Sequence, residues 1–242
     1  MRRIFSSLLL LAFFASTATA AGINLSWNDC GESGVANKTF TCSSNTFVAG
    51  LYASYMPPPG TVAITGNEVL VDLQSAGATL PAWWQFKNVG ACRQTALSVS
   101  ADFTAGPTGC ADYWSGLASG GVAAYTTPFN AIANRARLFI IYATPVALAM
   151  PMDDNTEYYS VRISFLGTKT VGPGACAGCI EPVCLVLNQI KLTQPAGVGD
   201  YRLQNPLVRN FVTWQGGGPA FQCPGATPTR NTTWGSLKSQ YR

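Results

Sequence analysis

The chain has 242 residues, a net charge of +4 at neutral pH, eight cysteines and no histidine. Without an imidazole, Ser-His-Asp and Cys-His pairs and histidine-ligated metal centres are excluded within it. Charged residues make up only 11% and the basic ones are scattered, so the basic stripe that nucleic-acid binding needs is missing.

Arg2 and Arg3 precede an apolar stretch from Ile4 to Ala15, and Ala18-Thr19-Ala20 supplies the small residues that a signal peptidase reads. Residues 1–20 are therefore expected to be a secretory signal peptide, with the protein exported to the periplasm, cell surface or extracellular space. A retained membrane anchor is the competing expectation. The apolar run is about a dozen residues, against the roughly 20 needed to span a bilayer. Removing residues 1–20 leaves 222 and lowers the net charge to +2. The apolar stretch from Leu138 to Met150 is too short to span and is broken by Pro145. The expected layout is a β domain over 21–223 and a polar, basic tail over 224–242.

Along the domain the pattern is strand after strand. Val69, Val71 and Leu73 alternate with Leu70 and Asp72. Leu97, Val99, Ala101 and Phe103 alternate with Ser98, Ser100 and Asp102. Leu138 to Tyr142 is continuously apolar, which predicts a central strand covered on both sides. Val161, Ile163 and Phe165 alternate with Ser160, Arg162 and Ser164. Between Val183 and Thr193 the apolar phase slips, with Leu185 and Leu187 before Asn188-Gln189 and Ile190 and Leu192 after. A β-bulge at that slip would return both pairs to the core. Phe211 to Gln215 reads as a final strand. Pro57-Pro58-Pro59-Gly60, Thr65-Gly66-Asn67, Ser75-Ala76-Gly77, Gly106-Pro107, Gly172-Pro173-Gly174 and Gly216-Gly217-Gly218-Pro219 read as turns. Many short strands with regular turns predict an all-β, antiparallel β-sandwich, immunoglobulin-like, cohesin-like or jelly-roll. The segment before Val62 is either part of that sandwich or a disulfide-bound arm.

Cys30, Cys42, Cys92, Cys110, Cys176, Cys179, Cys184 and Cys223 are an even set in an exported chain, which predicts disulfides. Nearest-neighbour pairing, Cys30 with Cys42 and Cys92 with Cys110, is the simplest expectation. Each such loop would be worth roughly 3 kcal/mol on a chain-entropy account. The last four allow three pairings. A zinc knuckle is the alternative by count, but no histidine completes the commoner ligand sets.

Met152-Asp153-Asp154-Asn155-Thr156-Glu157-Tyr158-x-x-Val161 resembles the tyrosine-corner segment of fibronectin-type and related immunoglobulin-like sandwiches, with Met152 and Asp154 in place of the usual Leu and Pro. The resemblance implies that the Tyr158 hydroxyl bonds nearby backbone. The Gly/Asn turn before Val69 and the strand ending Ile190-x-Leu192 resemble cohesin-like scaffold domains in pattern. The terminal Trp-Gly-x-Leu-Lys-x-x-Tyr-Arg is similar to the tails of uncharacterised exported bacterial proteins, and it implies no activity.

Carboxylate chemistry is what the composition leaves open. A glycosidase needs two carboxyls across a cleft, and Asp29, Glu32, Glu68, Asp72, Asp102, Asp112 and Glu181 are the candidates. Asp153, Asp154, Asn155 and Glu157 offer oxygens to calcium, without the spacing of a helix-loop-helix calcium loop. Trp83-Trp84-Gln85-Phe86 as a strand would place Trp84 and Phe86 on one face and Trp83 on the other. An exposed Trp83 would stack on a sugar, and Tyr113-Trp114 is a second aromatic pair. The competing expectation is that these rings are core. In the tail, Trp234, Leu237 and Tyr241 fall on one face of a short helix, either closing the domain or docking on a partner. Asn24, Asn37 and Asn231 begin N-glycosylation sequons.

The function expected from these residues is a non-catalytic exported interaction or structural module without a cofactor. Its partner would be an extracellular or surface protein, or a polysaccharide. A carbohydrate-binding module using Trp83 and Trp114 is the alternative, and a carboxylate hydrolase the third.

Overall fold

The computed structural model describes residues 21–216 and Cys223. Its strands are β1 (Gly22–Trp27), β2 (Asn37–Lys38), β3 (Val48–Met56), β4 (Gly66–Ser75), β5 (Leu97–Ser100), β6 (Ser119–Thr126), β7 (Arg135–Ala143), β8 (Tyr158–Leu166), β9 (Val183–Thr193), β10 (Tyr201–Leu203) and β11 (Phe211–Trp214). They form two sheets, ordered β1-β3-β8-β5 and β2-β11-β9-β4-β7-β6, with β10 beside the far half of β9. Among the strand ladders of the described residues, that of β2 with β11 is parallel and the others are antiparallel. The expected antiparallel sandwich is the observed fold.

Period-two alternation sets the core. Val69, Val71 and Leu73 of β4 point inward with Leu138 and Ile140 of β7, and meet Val161, Ile163 and Phe165 of β8. The phase slip in β9 is a bulge as expected: Leu70 faces Gln189 and Val71 faces Leu187, so Asn188 is the extra residue. Leu185, Leu187, Ile190 and Leu192 are consequently all buried. Two expectations are corrected. β7 alternates, with Phe139 and Ile141 on the outer face, so it is covered on one side only. Gly66 and Asn67 begin β4 itself, and the turn ends before them. The segment before Val62 belongs to the sandwich, because β1 pairs along its length with β3 and β3 pairs with β8.

All eight cysteines are paired, but not with their neighbours. The bridges are Cys30–Cys110, Cys42–Cys179, Cys92–Cys176 and Cys184–Cys223. Nearest-neighbour pairing fails because the chain carries Cys30 and Cys42 to different places. Cys30 leads into the 3-10 turn after β1 and lies beside Glu157 and Cys110. Cys42 follows β2 along β11 and ends beside Gln215. Cys42–Cys179 spans 137 residues, and a loop that long constrains the unfolded chain by roughly 4–5 kcal/mol, more than the ~3 of a short one. Four cystines fit an oxidising compartment. No helix of the described residues is long and apolar enough to cross a membrane.

The sandwich has two unlike ends. One, the stapled end, gathers Trp27, Trp83, Trp84 and Trp214 with Phe40 and Phe165, and carries Cys42–Cys179 and Cys92–Cys176. The other, the loop end, is made by residues 57–65, 144–157 and 194–200. Cys30–Cys110 lies against Glu157, the last residue of 144–157, and no disulfide among the described residues joins two of these loops.

Candidate functional site

The aromatic residues singled out from sequence are core. Residues 82–84 form a 3-10 turn rather than a strand, so Trp83, Trp84 and Phe86 all turn inward, each at 0% exposure. Trp83 packs 4.9 Å from Trp214 and donates its indole N–H to Thr170 Oγ1 at 3.0 Å. The buried Arg93 guanidinium lies 3.4 Å from the centre of the Trp83 ring and donates to the carbonyls of Trp83, Thr168 and Leu166. Burial pulls Arg93 down to about 9. Tyr113 and Trp114 are buried too. Among the described residues no Trp, Tyr or Phe ring is among the exposed apolar side chains. The expectation of an exposed Trp83 platform is corrected, and with it the carbohydrate-binding alternative built on Trp83 and Trp114.

Most of the candidate carboxylates are engaged by other residues. Glu68 pairs with Lys191 and Asp72 with Arg137. Asp102 accepts from Thr104, and Asp112 accepts from the Trp114 and Ser115 amides. These bonds hold Asp102 below the usual carboxylate range. Asp29 accepts from the Cys30 amide and the Tyr159 hydroxyl. Glu32 lies on the 3-10 turn after it, and Glu181 lies beside Gly77. A depression on the outer face of the larger sheet, beside Cys184, holds Asp72 with Gln74, Arg135 and Asn188. It contains one carboxylate, where glycoside hydrolysis needs two.

Of the calcium candidates, Asp153, Asp154 and Asn155 bond one another, and Glu157 does not join them. Asp153 accepts from the Asn155 amide and the Thr156 hydroxyl, closing a turn that lowers its pKa. Asp154 accepts from Asn155 Nδ2. Glu157 points elsewhere, to Asn24 Nδ2 at 2.8 Å and Ser54 Oγ at 2.6 Å. Glu157 lies near the sulfurs of Cys30 and Cys110, but those are joined in a disulfide. The tyrosine-corner feature is present: the Tyr158 hydroxyl accepts from the Asp153 amide at 3.0 Å. Of the sequons, Asn24 is buried and bonded to the Val208 and Arg209 amides, whereas Asn37 is exposed. Asn231 and the tail candidates Trp234, Leu237 and Tyr241 lie outside the described residues.

What the sequence reading missed is at the loop end. After β7 the chain runs Pro145-Val146-Ala147-Leu148-Ala149-Met150-Pro151, seven residues without a polar side chain. Val146 is 62% exposed, Leu148 45% and Met150 43%, and Val62 stands nearby at 57%. A surface run of this length is what sequences avoid unless it is used. The loop is held firmly. Its residues 146–148 make a 3-10 turn closed by the Leu148 and Ala149 amides. Pro151 bridges Ala63, which brings Val62 alongside. The buried Tyr113 hydroxyl is the anchor. It accepts from the Ile64 amide at 2.8 Å and the Met150 amide at 3.2 Å, and its proton is within reach of both carbonyls. Leu117, three residues after Trp114 and 46% exposed, lies at the start of β6 on the same end. The stretch from Leu138 through Met150 is apolar throughout in sequence apart from Thr144, and only the fold shows where its strand ends at Ala143 and the exposed part begins.

No protein-family model matches the chain, and no curated protein matches it. Among solved structures it is similar to a cohesin module from a Clostridium perfringens family 33 glycoside hydrolase, at 10% identity and a TM-score of 0.39, covering 81% of this chain and 94% of that one.

Proposed function

We propose that this protein is a non-catalytic exported interaction module that docks through the apolar loop Pro145–Pro151 and Val62. One observation carries this reading: consecutive aliphatic side chains stand in solvent on a backbone anchored by a buried tyrosine. A loose apolar loop would fold back on the domain. One fixed from beneath loses little conformational entropy on binding. The loop itself carries no charge, and Asp153 and Asp154 follow it. These carboxylates disfavour an anionic lipid surface. The partner that fits is an extracellular or surface protein with a concave apolar groove.

The test is site-specific photo-crosslinking in the cells that export the protein. The crosslinker is placed at Leu148, with a control at Val89, which is exposed at 96% on the opposite end. A discrete adduct from Leu148, missing from Val89 and lost in a Val146→Glu background, is expected. An identical set of adducts from both positions would sink the reading. Turnover of a glycan by the purified protein would replace it with the hydrolase reading.

A further inference from the structure

We infer that the outer edge of β6 pairs antiparallel with β6 of a second copy of this chain. The inference begins with the sheet edges. The chain covers the edge of β1 with its own backbone: Ile23 bonds Asn205 and Leu207, Leu25 bonds Arg209, and Trp27 bonds Val35. β11 is covered by β2, and β9 by β10 and β11. β5 is four residues long. β6 is eight residues long and pairs on one side only, with β7. Among the described residues nothing bonds its other side.

β proteins keep such edges from pairing with charged side chains, proline, a bulge, a covering segment or brevity. β6 has no charge and no proline and is long, and a bulge is the one such device it carries: Ser119-Gly120-Gly121-Val122-Ala123-Ala124-Tyr125-Thr126. Its one irregularity is a bulge at Ala123, between the pairs Val122–Ile140 and Ala124–Phe139. Ser119, Gly120, Ala123, Ala124 and Thr126 are exposed, and none is large enough to block another backbone.

An identical strand is the occupant that this edge fits. A charged strand would oppose like charges across a two-fold axis; this one opposes none. In full overlap Ser119 faces Thr126, Gly120 faces Tyr125 and Gly121 faces Ala124, and the two bulges meet at the axis. Just beyond the strand, the exposed Leu117 faces the exposed Pro128 of the copy, apolar against apolar. One strand pair is a small interface, so the dimer is a reversible one formed at high protein concentration. Antiparallel pairing sends the two loop ends to opposite poles. Both apolar loops stay free, and the pair is bivalent for a surface that repeats the partner.

The experiment uses the oxidised, signal-cleaved protein. Sedimentation velocity is run over a dilution series, with hydrogen exchange at the lowest and highest concentrations. Ala124→Lys is the edge variant, and Val48→Lys, on exposed β3 surface, is the control. Expected is a concentration-dependent dimer, slower exchange of the Ser119–Thr126 amides at high concentration, and association weakened about tenfold or more by Ala124→Lys alone, with an unchanged melting curve. A monomer at every concentration overturns the inference. So does a dimer that Ala124→Lys leaves intact, or one whose protection appears at Val146–Met150. The last result would make the apolar loop the dimer contact.

Discussion

The two ends of the sandwich draw on the same apolar-rich composition and treat it in opposite ways. At the stapled end the rings are interior, two cystines close over them, and even a guanidinium is bent inward to bond three carbonyls. At the loop end the aliphatic side chains face solvent, and the Tyr113 phenol beneath them holds the loop to Ile64. On the proposed reading, the difference separates stability from recognition. Substitutions at the stapled end are expected to unfold the protein, and those of the exposed loop side chains to leave it folded and alter what it binds.

The comparison can be broken first at Trp214. Its indole donates to the Cys179 carbonyl at 2.6 Å and its ring stacks on Phe40 at 3.7 Å. Trp214→Ala is expected to cost about 3–5 kcal/mol in chemical denaturation. A cost near zero would mean that this end is not the main source of stability. Replacing Cys42 and Cys179 together with alanine comes next, at roughly 2–5 kcal/mol. A non-reducing peptide map checks the pairing itself. Recovery of a Cys30–Cys42 peptide would contradict the architecture.

Tyr113→Phe sharpens the comparison from the other side. It removes the hydroxyl but keeps the ring, leaving the Ile64 and Met150 amides without their partner. The expected cost is about 1–3 kcal/mol. Hydrogen exchange should speed up at Ile64 and Met150 and stay unchanged around Trp83. Equal acceleration at both ends would mean that the hydroxyl supports the whole fold.

The pH dependence is set by phenols. Burial raises Tyr55, Tyr113, Tyr125, Tyr142 and Tyr159 above their ordinary value, and for Tyr159 the bond to Asp29 adds to burial. The folded state holds these protons more tightly than the unfolded one. Their contribution is therefore complete below pH 10, and it is lost as pH rises through the higher folded values. Each such phenol contributes a slope of up to about 1.4 kcal/mol per pH unit there. With no histidine in the chain, stability should be nearly flat from about pH 5 to 8. Phenolate absorbance rising together with loss of folded signal is the expected titration. Full phenolate formation in the folded protein would contradict the burial of these rings.

Much of the fold was legible because alternation reports burial directly. The bulge in β9 could be placed to within a residue, since Leu187 and Ile190 cannot both face inward without it. The Tyr158 corner was legible from its segment. The cystine pairing was not, because it depends on where β2 and the segment around Cys110 travel, and local spacing carries no such information. Trp83 misled for a related reason. Alternation applies to a strand, and Pro81 instead starts a 3-10 turn that brings three neighbouring rings inside. The apolar loop was hidden by the strand it extends: Leu138 to Met150 is apolar on both sides of Thr144-Pro145, and only the fold divides the buried part from the exposed part.

The most direct measurement is thermal and chemical unfolding of a variant carrying Val146→Ser, Leu148→Ser and Met150→Ser together. If these side chains serve recognition, the triple variant unfolds within about 0.5 kcal/mol of the parent, as surface changes do. A loss of several kcal/mol, like that of Trp214→Ala, would mean that the loop is buried against something in the protein itself and would contradict its role as a docking surface.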